Sequence, residues 1–141
     1  MPANYEYNID HGVIEGCAWD VVTQGDLVGY FEEAASSSND LSRAVEYLDL
    51  GEVAGLNICE LGALQICAAY EKLRDRGIRG AVIYAPSDEI YEAAKTIVAT
   101  FASVGGDLPQ GYRLTRTPVA IGDVHAYLYG EENALEPRLV A

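Results

Sequence analysis

The fold is decided by one stretch of sequence, residues 44–64, which is AVEYLDLGEVAGLNICELGAL. Its first part, residues 44–50, is a largely apolar run with the length of a buried strand, and Gly51 ends this run. A short link over the next residues leads to Asn57, which can form a capping box with Glu60 at the start of a helix. The stretch therefore predicts a buried strand followed directly by a helix, which is the repeating unit of α/β proteins.

Upstream of this unit, the sequence predicts a β-hairpin and a helix. Apolar residues alternate with polar ones over residues 5–22, on either side of the turn signal Asp10-His11-Gly12. Thr23 can cap the helix that follows, and the polar residues 36–39 end it. An antiparallel pair of strands is therefore expected before the first strand-helix unit.

Downstream, two more strand-helix units follow. Residues 79–85 contain an apolar run of strand length, and Ser87 can cap the amphipathic helix after it. Residues 112–115 are a further candidate strand, with Thr117 as the cap and Pro118 as the first residue of a last helix. Consecutive strand-helix-strand units pair in parallel. We therefore predict an α/β fold in which a mixed sheet of four to five strands, with an N-terminal β-hairpin and parallel βαβ units, is covered on both faces by about four helices.

The length of the chain predicts one domain. A chain of 141 residues can bury a sizeable core without disulfide bonds or metal ions. We expect this α/β domain to span residues 1–129, and the acidic, proline-containing residues 130–141 to form a loose C-terminal tail. The N-terminus lacks a signal segment, and no apolar run has the length of a membrane-spanning helix, which predicts a cytoplasmic protein.

Acidic residues strongly outnumber basic ones. Nine Lys and Arg against 22 Asp and Glu give a formal net charge of −13. This charge repels the phosphates of nucleic acids and anionic lipid head groups, so we expect neither nucleic acid nor a membrane as a partner. A solvated acidic surface accounts for the charge, and a basic protein partner is the alternative interpretation.

The cysteines and histidines predict no metal site and no cofactor. Cys17, Cys59 and Cys67 lack Cys-x-x-Cys spacing and lie among apolar residues, so we expect reduced and mostly buried thiols. His11 and His125 are far apart in sequence, and the sequence nominates no third ligand to complete a metal site with them.

Residues 45–64 combine a buried strand that ends in Asp-Leu, a short link, and a helix that begins Leu-Gly-x-Leu. This pattern resembles the STAS domain, the fold of bacterial anti-sigma-factor antagonists, and the element order over residues 5–129 fits the same family. In that family an Asp-Ser-Ser turn carries the hydroxyl group that a partner kinase phosphorylates. This chain has Asn57-Ile58-Cys59 at the same place. The resemblance therefore implies the STAS scaffold without its phosphorylation switch.

Two helix starts carry the candidate functional residues. Asn57, Ile58, Cys59 and Glu60 form the turn before one helix, and Ser87 opens the next helix along the chain. Helix N-termini bind anions and activate thiols, so Asn57 and Ser87 are candidates to frame a ligand pocket and Cys59 is a candidate nucleophile. Ordinary helix caps and a buried structural thiol are the alternative interpretations, because neither loop is rich in glycine and no histidine lies near Cys59 in sequence.

Two functions remain open at this point. The first is a non-enzymatic regulatory or protein-interaction module of the STAS-like type, which binds a protein partner or a second copy of itself through the turn at Asn57. The second is a small-ligand or lipid-binding module with a pocket for a small apolar ligand between sheet and helices. No catalytic constellation is visible, so an enzyme that uses Cys59 is the third interpretation, after these two. The ten tyrosines fit either function, since tyrosine is favoured at interfaces and at the edges of cores.

Overall fold

A computed structural model of the protein describes residues 2–105 and 112–129. The strands are β1 (Ala3–Asn8), β2 (Val13–Thr23), β3 (Val45–Asn57), β4 (Gly80–Tyr84) and β5 (Tyr112–Thr115). The helices are α1 (Gln24–Ala35), α2 (Glu60–Arg74), α3 (Asp88–Gly105) and α4 (Val124–Leu128), and a 3-10 turn at Ile121–Asp123 precedes α4. The tail predicted for residues 130–141 lies outside the described residues.

The strands form one sheet in sequential order, from β1 at one edge to β5 at the other. β1 and β2 are antiparallel, and every other neighbouring pair is parallel. The turn between β1 and β2 contains Gly12 with a φ angle of 63°, in the left-handed region that favours glycine. The predicted α/β fold, with a mixed sheet and an N-terminal hairpin, is confirmed.

The helices cover the two faces of the sheet unequally. When parallel strands follow one another in order and each crossover is right-handed, the crossover helices lie on the same face. Accordingly, α1, α2 and α3 pack over one main core, which includes Ile14, Leu48 and Ile66. The short α4 covers a smaller cluster on the other face, built around Val82 and Val124. Large fully buried side chains, such as those of Tyr30, Ile14 and Ile66, lie in this main core.

β3 is longer than the sequence predicts. The sequence indicates a strand that ends at Leu50 and a link over residues 52–55, whereas β3 continues beside β2 until Asn57 pairs with Thr23. Two register shifts in β2, one of them next to Asp20 with its φ angle of 59°, accommodate this extension. Pairing with a long neighbouring strand therefore overrides the low strand propensity of the glycines in this segment.

The last helix begins later than the sequence predicts. Thr117 does not cap it and Pro118 is not its first residue, because α4 starts at Val124 after the 3-10 turn. The backbone N–H of Thr117 instead donates to the hydroxyl oxygen of Thr115 at 3.1 Å, and that hydroxyl donates to the Thr117 carbonyl at 2.9 Å. Residues 115–117 therefore form a local turn directly after β5, and α4 begins further along the chain.

One arginine side chain binds the loop that connects α1 and β3. The guanidinium group of Arg76 donates to the carbonyl oxygen of Ala35, to that of Ser37 at 2.9 Å and to that of Asn39 at 2.6 Å. Ala35 is the last residue of α1. Because a helix leaves its final carbonyl groups without partners inside the helix, this side chain stabilises both the end of α1 and the loop after it.

Candidate functional site

The turn singled out by the sequence lies at the surface, between β3 and α2. Asn57, Cys59 and Glu60 are exposed, and Ile58 is half-buried against the main core. The N-cap of α2 is Cys59, whose Sγ accepts a hydrogen bond from the backbone N–H of Gly62 at 3.3 Å. The predicted capping by Asn57 is wrong, because strand pairing continues to this residue and the helix begins two residues later than the capping box requires.

The cysteines differ in exposure. Cys59 is exposed, contrary to the buried thiol that its apolar surroundings suggest, whereas Cys67 is buried and Cys17 is half-buried. Burial raises the pKa of the thiols of Cys17 and Cys67. Among the described residues no hydrogen bond joins Cys59 to a histidine. The geometry therefore gives Cys59 the role of a helix cap.

Ser87 is also a helix cap. Its side chain is exposed, and its Oγ accepts a hydrogen bond from the backbone N–H of Ile90 at 3.2 Å, in the first turn of α3. β4 ends at Tyr84, which pairs with Asp49, while β3 continues well beyond that level. The structure thus places the two predicted helix starts at different levels of the sheet.

A cavity of about 70 Å³ lies between the sheet and the three long helices. None of Asn57, Ile58, Cys59, Glu60 and Ser87 lines it. Its walls are apolar and aromatic side chains from α1, α2, α3 and the central strands: Leu27, Phe31, Leu48, Leu50, Leu56, Ile66, Tyr70, Ala81, Ile83, Ala94, Ile97, Val98, Phe101 and Tyr112. Several of the residues from α3 and β5 are only half-buried, so on that side the cavity approaches solvent.

Glu46 is the acidic residue in the wall of this cavity. Side chains alternate along β3, so Glu46 and Leu48 face the long helices while Val45 and Tyr47 face α4. Glu46 is 1% exposed, and the hydroxyl group of Tyr30 donates a hydrogen bond to its Oε2 at 2.5 Å. Burial raises the pKa of Glu46 to about 7, and the hydrogen bond from Tyr30 opposes this rise. The carboxyl group is therefore poised to change its protonation state near neutral pH.

A glycine makes room for the contact between Tyr30 and Glu46. A Cβ atom at Gly16 would lie 2.8 Å from Cζ of Tyr30 and closer still to its hydroxyl oxygen. Real Cβ atoms do not approach another atom so closely, so any side chain at this position of β2 would displace the tyrosine ring. The bond between Tyr30 and Glu46 thus depends on the absence of a side chain on the neighbouring strand.

Buried aromatic rings surround the pair. Tyr30 and Tyr70, from α1 and α2, are both buried. The Tyr30 ring packs on Phe31 with centroids 5.0 Å apart, and Phe31 packs on Tyr70 at 5.3 Å, both edge to face. Burial, followed by the negative charge of Glu46, raises the pKa of both tyrosines far above the usual range, so both hydroxyls keep their protons.

Sequence reasoning missed Glu46, although one signal for it exists. An acidic residue between Val45 and Tyr47, inside a strand predicted to be buried, is rare unless it is paired or functional. The partner could not have been found in this way. Tyr30 lies on a different element, and nothing in its own sequence context marks it as the donor.

Both histidines lie where the turn between β1 and β2 contacts the region of α4. Nε2 of His125 on α4 lies 3.0 Å from the carbonyl oxygen of Gly12, and His11 lies beside Gly122 in the 3-10 turn. These contacts fasten the hairpin turn to α4. Within residues 2–105 and 112–129, no three His, Cys, Asp or Glu side chains are grouped so that they can hold a metal ion.

The sequence matches no protein-family model, no curated protein and no solved structure. The resemblance to STAS domains therefore stays a prediction. None of the described helices has both the length and the hydropathy needed to cross a bilayer.

Proposed function

We propose that this protein binds a small apolar ligand in the cavity between the sheet and the three long helices. The observation that supports this function is an apolar cavity whose wall contains one buried carboxyl group, that of Glu46. Binding sites for small molecules are concave and mostly apolar, and a few polar groups orient the ligand in them. A titratable group shifted toward neutral pH inside such a cavity is typical of functional sites.

The size of the cavity limits the ligand. An apolar cavity of about 150 Å³ binds benzene, which has six carbon atoms. A cavity of about 70 Å³ therefore holds a hydrocarbon group of roughly three carbon atoms. A longer chain would extend past Ile97 and Phe101, which are half-buried at the side nearest to solvent. The ligand is accordingly a short apolar molecule, or the end of a longer one.

The test of this proposal is stabilisation of the full chain by short apolar probes. We expect at least one of 1-hexanol, n-hexylamine, hexanoate and benzene to raise the midpoint of thermal unfolding. A probe at 100 times its Kd adds about 2.7 kcal/mol to the free energy of unfolding. Absence of stabilisation by all four probes would refute the proposal.

A pair of matched variants locates the binding site. Ala94 is buried in α3 and lines the cavity, whereas its neighbour Ala93 is half-buried and does not. Ala94→Leu fills the cavity and should abolish the stabilisation, while Ala93→Leu should retain it. Equal stabilisation of the two variants would place the probe elsewhere on the protein.

An exposed apolar surface supports a second candidate function, that of a regulatory or protein-interaction module of the STAS-like type. Leu61, in the first turn of α2, is 64% exposed, and Val21 on the adjoining part of β2 is 55% exposed. Leu61 directly follows the exposed turn over residues 57–60, and Val21 lies two residues before Thr23, which pairs with Asn57 of this turn. Large exposed apolar side chains next to an exposed turn favour protein association. The occupant proposed for this end of the sheet is a second copy of the chain.

Sedimentation of the full chain tests the second copy. We expect self-association that Leu61→Ser weakens. Ile9→Ser is the matched control, because Ile9 is 78% exposed in the hairpin turn at the opposite end of β2. A wild-type protein that stays monomeric at all concentrations, or equal weakening by the two substitutions, would refute self-association through this surface.

A further inference from the structure

The polar wall of the cavity constrains the head group of the ligand, and this step rests on the proposed function of ligand binding. The Tyr30 hydroxyl donates its proton in a hydrogen bond to Oε2 of Glu46. When Glu46 is ionised, the oxygen atoms of the two side chains therefore present hydrogen-bond acceptors to the cavity. The polar groups that face Glu46 are the hydroxyls of Tyr30 from α1 and Tyr70 from α2. The residues that line the cavity from α3 are Ala94, Ile97, Val98 and Phe101, which carry no charge.

No cationic side chain of the described residues contributes to the pKa of Glu46. An ionised carboxylate in an apolar cavity is costly unless a cation and hydrogen-bond donors compensate it. When Glu46 is ionised, its charge thus has no cationic partner among the described residues, and a cation that enters with the ligand can supply one.

We infer that the ligand is an apolar amine, whose ammonium group pairs with the carboxylate of Glu46 while its hydrocarbon part fills the cavity. An ammonium group supplies both the opposite charge and the hydrogen-bond donors that Oε1 and Oε2 accept. An alcohol supplies a donor without the charge. A ligand carboxylate would bring a second negative charge against Glu46, and the two groups would repel each other.

The proton balance of binding follows from this pairing. Where Glu46 is protonated in the free protein, binding of the ammonium form releases that proton to solvent. Where Glu46 is already ionised, no proton is released. Because burial raises the pKa of Glu46 to about 7, the affinity for an amine should fall by about tenfold per pH unit below neutral pH and be constant just above it.

Isothermal titration of the full chain with three probes of one chain length tests the inference. At pH 8 we expect n-hexylamine to bind at least about tenfold more tightly than 1-hexanol, and hexanoate to bind most weakly. Glu46→Gln should remove the preference for the amine and leave the affinity for hexanol within about threefold. Retained binding of hexanol shows that the cavity of the variant is folded.

A pH series on the wild-type protein gives an independent readout if the variant does not fold. From pH 7 to pH 5 the affinity for hexylamine should fall about 50-fold, while the affinity for hexanol changes little. Equal affinities for the amine and the alcohol, or a preference for hexanoate, would overturn this inference and leave the proposed function standing. Absence of binding by every probe would refute the proposed function itself.

Discussion

Replacing Glu46 with glutamine should make the protein more resistant to rising pH. The pKa of Glu46 is raised from 4.5 to about 7 in the folded protein, mainly by burial. An acid with a raised pKa in the folded state contributes stability that is fully present below the pKa of the unfolded state, and this stability is lost as pH rises through the folded pKa. At about 1.36 kcal/mol per unit, the shift corresponds to roughly 3 kcal/mol.

The assay is urea unfolding of wild-type protein and Glu46→Gln between pH 4.5 and pH 8. All other groups titrate in both proteins, so the difference between the two free energies of unfolding isolates Glu46. We expect the wild-type protein to lose about 3 kcal/mol relative to the variant across this range. Glu33→Gln removes a carboxyl group from the exposed face of α1 and is the matched control for the substitution itself. Parallel stability curves for wild type and Glu46→Gln would refute the reasoning, since they would show that Glu46 titrates as it does in water.

Three further predictions concern the surroundings of the cavity and the exposed turn. Tyr30→Phe removes the hydrogen bond that lowers the pKa of Glu46, so the loss of stability with pH should move to higher pH, and at pH 8 the variant should be about 1–3 kcal/mol less stable than wild type. An unchanged pH midpoint would show that the bond does not matter. Gly16→Ala should cost about 1–3 kcal/mol, because its Cβ collides with Tyr30, whereas Gly55→Ala places its Cβ in open space and should be nearly neutral. Equal effects of the two substitutions in urea unfolding would contradict the steric argument. Under native conditions a maleimide should label the exposed Cys59 well before the buried Cys67, as peptide mapping can measure, and labelling in the reverse order would contradict this difference in exposure between the two thiols.

Local patterns were sufficient to predict most of the fold. The strand at residues 112–115 and the cap at Ser87 have local sequence signals, and both are as the sequence indicates. β3 extends further than predicted because its length is set by pairing with β2, a partner that no local pattern of residues 52–57 reveals. The same pairing takes Asn57 out of the capping position and gives it to Cys59.

The sequence left a pocket between sheet and helices open as an alternative, but the polar contact in its wall could not be predicted, because this contact joins elements that only folding brings together. Glu46 comes from β3, Tyr30 from α1 and the space between them from Gly16 on β2. Tyr30 and Gly16 are ordinary in their own sequence contexts, and of the three residues only Glu46 carries a local signal. The hydrogen bond exists because the register of β2 against β3 places a glycine where the tyrosine ring must pass.

The contacts of Arg76 also impose an order on events during synthesis. The carbonyl groups that it binds lie about forty residues nearer the N-terminus, at the end of α1 and in the loop after it. On the ribosome, α1 and its loop emerge well before Arg76 does, and until then those carbonyl groups have only water as a partner. The loop therefore closes only after α2 has been made, so a nascent chain stopped before Arg76 should remain open to protease at residues 36–39, and one that extends beyond it should be protected there.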